Sequence, residues 1–80
     1  MIQLRKDIIK ALIQKFKGEI SAHKVNVEIM LENTVGVAEH PNIIETVEQE
    51  LEVIASYEDK LAVLSKYFEN KVNTKKLLND

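Results

Sequence analysis

Residues 9–30, IKALIQKFKGEISAHKVNVEIM, carry apolar side chains at alternating steps of four and three. The positions on this line are Ile9, Ile13, Phe16, Ile20, His23, Val27 and Met30. This spacing places side chains on one face of an α-helix, whereas a strand would alternate with a period of two. The stretch therefore predicts an amphipathic helix with a heptad pattern and one histidine inside its apolar face.

The same pattern returns after an interruption at Gly36 and Pro41. Its second line of apolar residues is Ile43, Val47, Ile54, Leu61 and Phe68. Gly36 favours a helix end, and Pro41 suits the first turn of a new helix. Asn42 followed by Glu45 offers a capping box as an alternative start for the second helix.

These signals predict an all-α protein with one domain over residues 1–70. We expect a helix over about residues 2–32, a connector over 33–40 and a helix over about 41–69. The last residues, 71–80 (KVNTKKLLND), are expected to form a flexible or partly docked basic tail.

A connector this short requires an antiparallel, coiled-coil-like two-helix hairpin. Aligning Glu32 with Asn42 pairs residues whose numbers sum to about 73 or 74. This register sets Lys15 beside Glu58, and it sets His23, the polar residue of the first line, opposite Glu50. It also pairs Ile20 with Ile54, Ile13 with Leu61, Phe16 with Tyr57 and Val27 with Val47. The expected core consists of Ile9, Ile13, Phe16, Ile20, Val27, Val47, Ile54, Leu61 and Phe68.

A second line of apolar and small residues makes each helix face too wide for one seam. On the first helix it comprises Leu4, Ile8, Ala11, Gly18, Ala22, Val25 and Ile29, with Leu12 between the two lines; the second helix adds Ile44, Leu51, Ala55 and Leu64. A two-helix seam needs two positions in seven, and a wider face is typical of a bundle. Exposure forfeits about 1.5–3 kcal/mol per large side chain relative to full burial. We therefore expect two hairpins to dimerise into a four-helix bundle, with simple tolerance of surface apolar residues as the alternative.

The charges are divided between the two ends of the hairpin. Residues 17–55, at the connector end, hold two Lys and eight Glu, a net charge of -6. Residues 1–16 and 56–80, at the open end, hold nine Lys or Arg and five Asp or Glu, a net charge of +4. An antiparallel homodimer would place acidic ends beside basic ends, so this orientation is the expected one.

No motif in the chain predicts catalysis or a cofactor. There is no cysteine, and Gly18 and Gly36 are isolated, so disulfides, thiolate metal sites and a glycine-rich phosphate loop are excluded. The only histidines are His23, expected to fix the helix register, and His40, expected in the turn. We predict no catalytic, cofactor-binding or metal-ligating residue, and hence no enzyme.

The chain also gives no sign of a membrane segment. No apolar run approaches the roughly 20 residues needed to span a bilayer. The N-terminal MIQLRKDIIK mixes charges with apolar residues and lacks a small-residue cleavage site, which argues against a signal peptide. A charge-rich chain without cysteine fits the cytoplasm of the producing or host cell.

The function expected from these features is that of a self-associating, non-enzymatic interaction or scaffold module, with a foreign protein as a possible partner of the apolar face. The alternative is a small nucleic-acid-binding accessory protein that uses the basic open end. The basic residues available for that role are Arg5, Lys6, Lys10, Lys15, Lys17, Lys24, Lys71, Lys75 and Lys76. A single arginine and the lack of helix-turn-helix spacing disfavour this alternative.

The central stretch NTVGVAEHPNIIETVEQELEVIASYEDKL resembles short uncharacterised proteins of tailed phages of marine cyanobacteria and related bacteria. The resemblance lies in the turn Val35–Pro41 and in the acidic helix containing Tyr57 to Leu61. It implies a virus-related origin, and it implies no activity for any residue.

Overall fold

The computed structural model describes residues 3–32 and 42–69, which form two helices. α1 spans Gln3–Glu32 and α2 spans Ile43–Tyr67. No strand occurs within these two ranges. The expected connector and tail, together with Val35–Pro41, lie outside the described residues.

The two helices form an antiparallel hairpin in the register that the sequence predicts. Arg5 contacts Phe68, Phe16 contacts Tyr57 and His23 contacts Glu50, and the residue numbers of each pair sum to 73. These three contacts lie near the open end, the middle and the connector side of the seam. The hairpin and its register are thus confirmed along the described length.

The start of α2 differs in detail from the expected capping box. Asn42 occupies the N-cap position, but its side chain makes no capping hydrogen bond. Instead, its carbonyl accepts hydrogen bonds from the backbone N–H of Thr46 at 2.9 Å and from the Thr46 hydroxyl at 3.1 Å. The asparagine half of the predicted capping box is therefore wrong.

The end of α2 explains why Phe68, an expected core residue, is 50% exposed. Phe68 is the C-cap, with φ -126° and ψ -16°, so the helical period no longer directs its side chain into the seam. Leu64, one turn earlier, is 9% exposed and is the one buried residue in the described ranges. It continues the row Glu50, Tyr57, Leu64 at steps of seven along the seam, so its expected place outside the main line of α2 is wrong. The other eight expected core residues are half-buried: Ile9, Ile13, Phe16, Ile20, Val27, Val47, Ile54 and Leu61.

The charges of the two helices are arranged differently with respect to their dipoles. α2 carries Glu45 in its first turn and Lys66 in its last, which is favourable for a helix macrodipole. α1 has no acidic residue in its first turn and no basic residue in its last. Because the helices are antiparallel, the basic start of α1 lies beside the C-terminus of α2. There the Arg5 guanidinium donates a hydrogen bond to the Phe68 carbonyl at 2.8 Å, so α1 supplies a cation that completes the end of α2.

Candidate functional site

The helix seam contains a polar cluster of four side chains, Glu19, His23, Asn26 and Glu50. The His23 Nδ1 donates a hydrogen bond to Glu50 Oε1 at 2.6 Å, and the Asn26 amide donates to the same oxygen at 3.2 Å. On the other side of the ring, His23 Nε2 lies 3.5 Å from Glu19 Oε1. The predicted opposition of His23 and Glu50 is confirmed as a direct contact.

The electrostatics of this cluster favour the ionised form of Glu50. The hydrogen bond from His23 lowers the pKa of the Glu50 carboxyl, and the hydrogen bond from Asn26 adds to this effect. Burial acts in the opposite direction but is incomplete, since the Glu50 side chain is 19% exposed and the His23 side chain 25%. The cluster is therefore a charge-assisted contact at the edge of the seam.

The geometry of the cluster suits register selection better than ligand binding. A shift by one turn would separate His23 from Glu50 and leave a partly buried carboxylate without its two donors. Within residues 3–32 and 42–69, no group of three or more His, Asp or Glu side chains is placed to hold a metal ion. The expectation that this chain has no metal or catalytic residue stays a prediction.

Next to the polar cluster, an aromatic pair fills the middle of the seam. The rings of Phe16 and Tyr57 lie 5.7 Å apart between centroids at an interplanar angle of 39°. The Lys60 ammonium lies 4.5 Å from the Tyr57 ring centroid and 6.0 Å from that of Phe16. These contacts agree with the predicted pairing and add a cation–π interaction to it.

The second line of apolar and small residues on α1 is exposed in the hairpin. Lys15 fills the gap in its spacing, and we call the line with Lys15 added the α1 stripe: Leu4, Ile8, Ala11, Lys15, Gly18, Ala22, Val25 and Ile29. Its four large aliphatic side chains are between 51% and 65% exposed. The hairpin leaves the α1 stripe in solvent because α2 covers a different side of the helix.

Two shallow apolar grooves lie at opposite ends of the hairpin. The open-end groove has a volume of about 430 Å³ and is lined by Leu4, Arg5, Ile8, Ile9, Leu12, Leu64 and Phe68. The connector-end groove has a volume of about 590 Å³ and is lined by Met30, Leu31, Ile43, Ile44, Val47, Glu48 and Leu51. Each contains a single charged lining residue, so neither presents the set of convergent polar groups that a catalytic or small-molecule site requires.

Two of the basic residues considered for nucleic-acid binding have intramolecular contacts. Arg5 binds the Phe68 carbonyl, and Lys15 lies 3.6 Å from Glu19, its neighbour one turn along α1. The expected contact of Lys15 with Glu58 is therefore replaced by an (i, i+4) contact, which Lys15 reaches without crossing the seam. Lys71, Lys75 and Lys76 lie outside the described residues.

Sequence reasoning missed two members of these contacts. Asn26 lies three residues after His23, so the helical period places it near the same face of α1. The apolar pattern did not indicate that its amide would contact Glu50. The Arg5–Phe68 contact follows from the register once the C-terminus of α2 is known to lie there. Neither residue carried a motif that would have identified it beforehand.

Comparison with protein-family models, curated proteins and solved structures gives no significant match. The resemblance to short phage proteins therefore stays a prediction. In the described part of the chain, neither helix combines the length and apolar character that a membrane span requires.

Proposed function

We propose that this chain is a self-associating helical hairpin that acts as a non-enzymatic protein-interaction or scaffold module. Its functional form is an antiparallel homodimer arranged as a four-helix bundle. The observation that carries the proposal is the wide exposed apolar surface of a hairpin in which, over residues 3–32 and 42–69, only Leu64 is buried.

The balance of buried and exposed apolar surface favours association. On α1, Leu4 is 65% exposed, Ile29 57% and Val25 55%. Covering a large aliphatic side chain that is about half exposed recovers roughly 1 kcal/mol. Exposed apolar patches typically mark protein–protein contacts on soluble proteins.

The charge distribution supports the antiparallel arrangement over the parallel one. Glu28, Glu32, Glu45 and Glu48 lie towards the connector end, whereas Arg5, Lys6 and Lys10 lie at the open end. Two hairpins with their connectors together would bring acidic ends together. Long-range charge of this type orients a complex more than it strengthens it, and salt weakens the preference.

Light scattering with size-exclusion chromatography tests the proposal. At low micromolar concentration the expected mass is twice the 9.2 kDa of one chain. A folded, stable monomer would contradict the proposal, because the exposed apolar surface would then need no second copy.

The same sample distinguishes the nucleic-acid alternative. Adding random-sequence DNA at low salt is expected to leave the elution position unchanged, since Arg5 and Lys15 are engaged within the hairpin. A salt-sensitive shift would favour a nucleic-acid-binding accessory protein instead.

The absence of cysteine from the chain supports the cytoplasm as the place of action. The resemblance of the turn Val35–Pro41 to short phage proteins supports a phage-related role.

A further inference from the structure

We infer that the α1 stripe is the dimer interface, with α1 of one copy packed antiparallel on α1 of the second about a two-fold axis beside Gly18. This inference rests on the proposed function and adds which helix pairs, in which direction and in which register. The occupant of the exposed α1 face is thus a second copy of this chain.

The spacing of the α1 stripe is self-complementary. Its positions 4, 8, 11, 15, 18, 22, 25 and 29 are symmetric about the midpoint between Phe16 and Lys17. In an interface with two-fold symmetry, residue i contacts residue j and j contacts i. Antiparallel α1 helices centred on this midpoint pair Leu4 with Ile29, Ile8 with Val25, Ala11 with Ala22 and Lys15 with Gly18 of the second copy.

Side-chain size follows the same symmetry. Large aliphatic residues pair with large ones at both ends of the interface, where Leu4 and Ile29 are 65% and 57% exposed in the single hairpin. Alanine pairs with alanine nearer the centre. Lys15, the only charged member, meets glycine, so its aliphatic stem can lie over bare backbone while its ammonium stays with Glu19 at 3.6 Å.

Gly18 has no packing role inside its own hairpin. Among the described residues, no side chain and no backbone outside this part of α1 lies within 4 Å of a Cβ atom built at this position. Glycine inside a helix nevertheless weakens that helix relative to alanine. A second backbone approaching at this point supplies a reason for the glycine that the single hairpin lacks.

The charges of α1 select the antiparallel direction. Its first two turns contain Arg5, Lys6 and Lys10 with one acid, Asp7, and its last turns contain Glu28 and Glu32. Antiparallel α1 helices place the basic start of each copy beside the acidic end of the other. This also places acids near a helix N-terminus whose own first turn has none.

The outer face of α2 has the same alternating spacing, but an antiparallel pairing about its middle would set Glu48 of one copy against Glu58 of the other. Along it, Ile44 and Leu51 are 79% and 51% exposed, but Glu48 and Glu58 interrupt the line. Ile44 and Leu51 line the connector-end groove, which contains no residue of the α1 stripe. Leu51 therefore offers a matched control for Val25, since the two are 51% and 55% exposed.

The first test compares Val25→Lys with Leu51→Lys in the full chain by light scattering across a concentration series. Val25→Lys is expected to raise the dimer Kd at least tenfold, and Leu51→Lys to leave it within about twofold. If Leu51→Lys dissociates the dimer and Val25→Lys does not, the inference is overturned while the proposed function stands. If the unmodified chain is a monomer, the proposed function and the inference are both wrong.

The second test reads direction and register by single-cysteine cross-linking, which the cysteine-free chain allows. Two copies of Lys15→Cys lie three residues apart along the proposed interface and are expected to form a disulfide-linked dimer under mild oxidation. Two copies of Leu4→Cys are separated by 25 positions, about 38 Å of helix, far beyond the roughly 7 Å limit between Cα atoms for a disulfide. Ready cross-linking of Leu4→Cys without Lys15→Cys overturns the antiparallel register.

Discussion

Replacing Leu64 with alanine tests where the hairpin draws its stability. Leu64 is 9% exposed on α2 and is the most completely covered side chain in the described part of the chain. The change removes three carbon atoms, each of which contributes about 0.8 kcal/mol when it is transferred from water to the protein interior. It also leaves a cavity that the surrounding residues fill only in part. The open-end groove that Leu64 lines lets neighbouring side chains and water relax into the space. We therefore expect a loss of about 2–3 kcal/mol in the free energy of unfolding, near the lower limit for a leucine-to-alanine change.

The adjacent Val63 provides the control, because it is 43% exposed on the same helix. Val63→Ala is expected to stay within about 0.5 kcal/mol of the unmodified chain, since the higher helix propensity of alanine offsets the lost contacts. Urea unfolding followed by far-UV circular dichroism gives both values, at one fixed protein concentration because association adds to the apparent stability. Equal losses for the two variants would show that Leu64 is not the centre of the packed seam.

Three further perturbations probe the other contacts. Because the pKa of Glu50 is lower in the folded chain than its ordinary value of 4.5, the stability due to this carboxylate is present above that value and is lost as the pH falls through the folded pKa. The free energy of unfolding should therefore fall between pH 7 and pH 3, and it should fall less in Glu50→Gln than in the unmodified chain. The control Glu52→Gln should show the same fall as the unmodified chain. Identical pH profiles for all three chains would contradict the stabilising role of the Glu50 carboxylate. Arg5→Ala should speed amide hydrogen exchange in the last turn of α2 about two- to fivefold, the effect of roughly 0.5–1 kcal/mol at a helix end, and an unchanged rate would mean that the contact with Phe68 has no stabilising effect. Gly18→Ala should raise the unfolding free energy of the monomeric chain by about 0.5–1 kcal/mol in dilute thermal melts, whereas a loss of stability would indicate an intrachain contact at this glycine.

Heptad spacing and a short connector were sufficient to predict the hairpin and its register. They located the Phe16–Tyr57 and His23–Glu50 contacts because an antiparallel pair has one free parameter, the sum of the paired residue numbers. The same reasoning failed at Phe68, where α2 ends and the helical period no longer applies.

The spacing of apolar residues also could not predict which of several nearby partners a polar side chain contacts. Lys15 can reach acids on its own helix or across the seam, and the structure pairs it with Glu19. Asn26 joined the polar cluster through the direction of a short amide side chain, which hydropathy does not encode. Backbone periodicity thus determined which helices meet, whereas local geometry determined which polar atoms bind.

The inverted charge order of α1 has a consequence for the way the chain acquires its structure. With basic residues at its start and acidic residues at its end, α1 opposes its own dipole, whereas Glu45 and Lys66 favour α2. Isolated helices are marginal in water, so small differences of this kind decide which segment becomes ordered first. We expect α2 to be the template on which α1 becomes helical. A substitution that weakens α2 would then abolish both helices, whereas one that weakens α1 would leave a helical remnant.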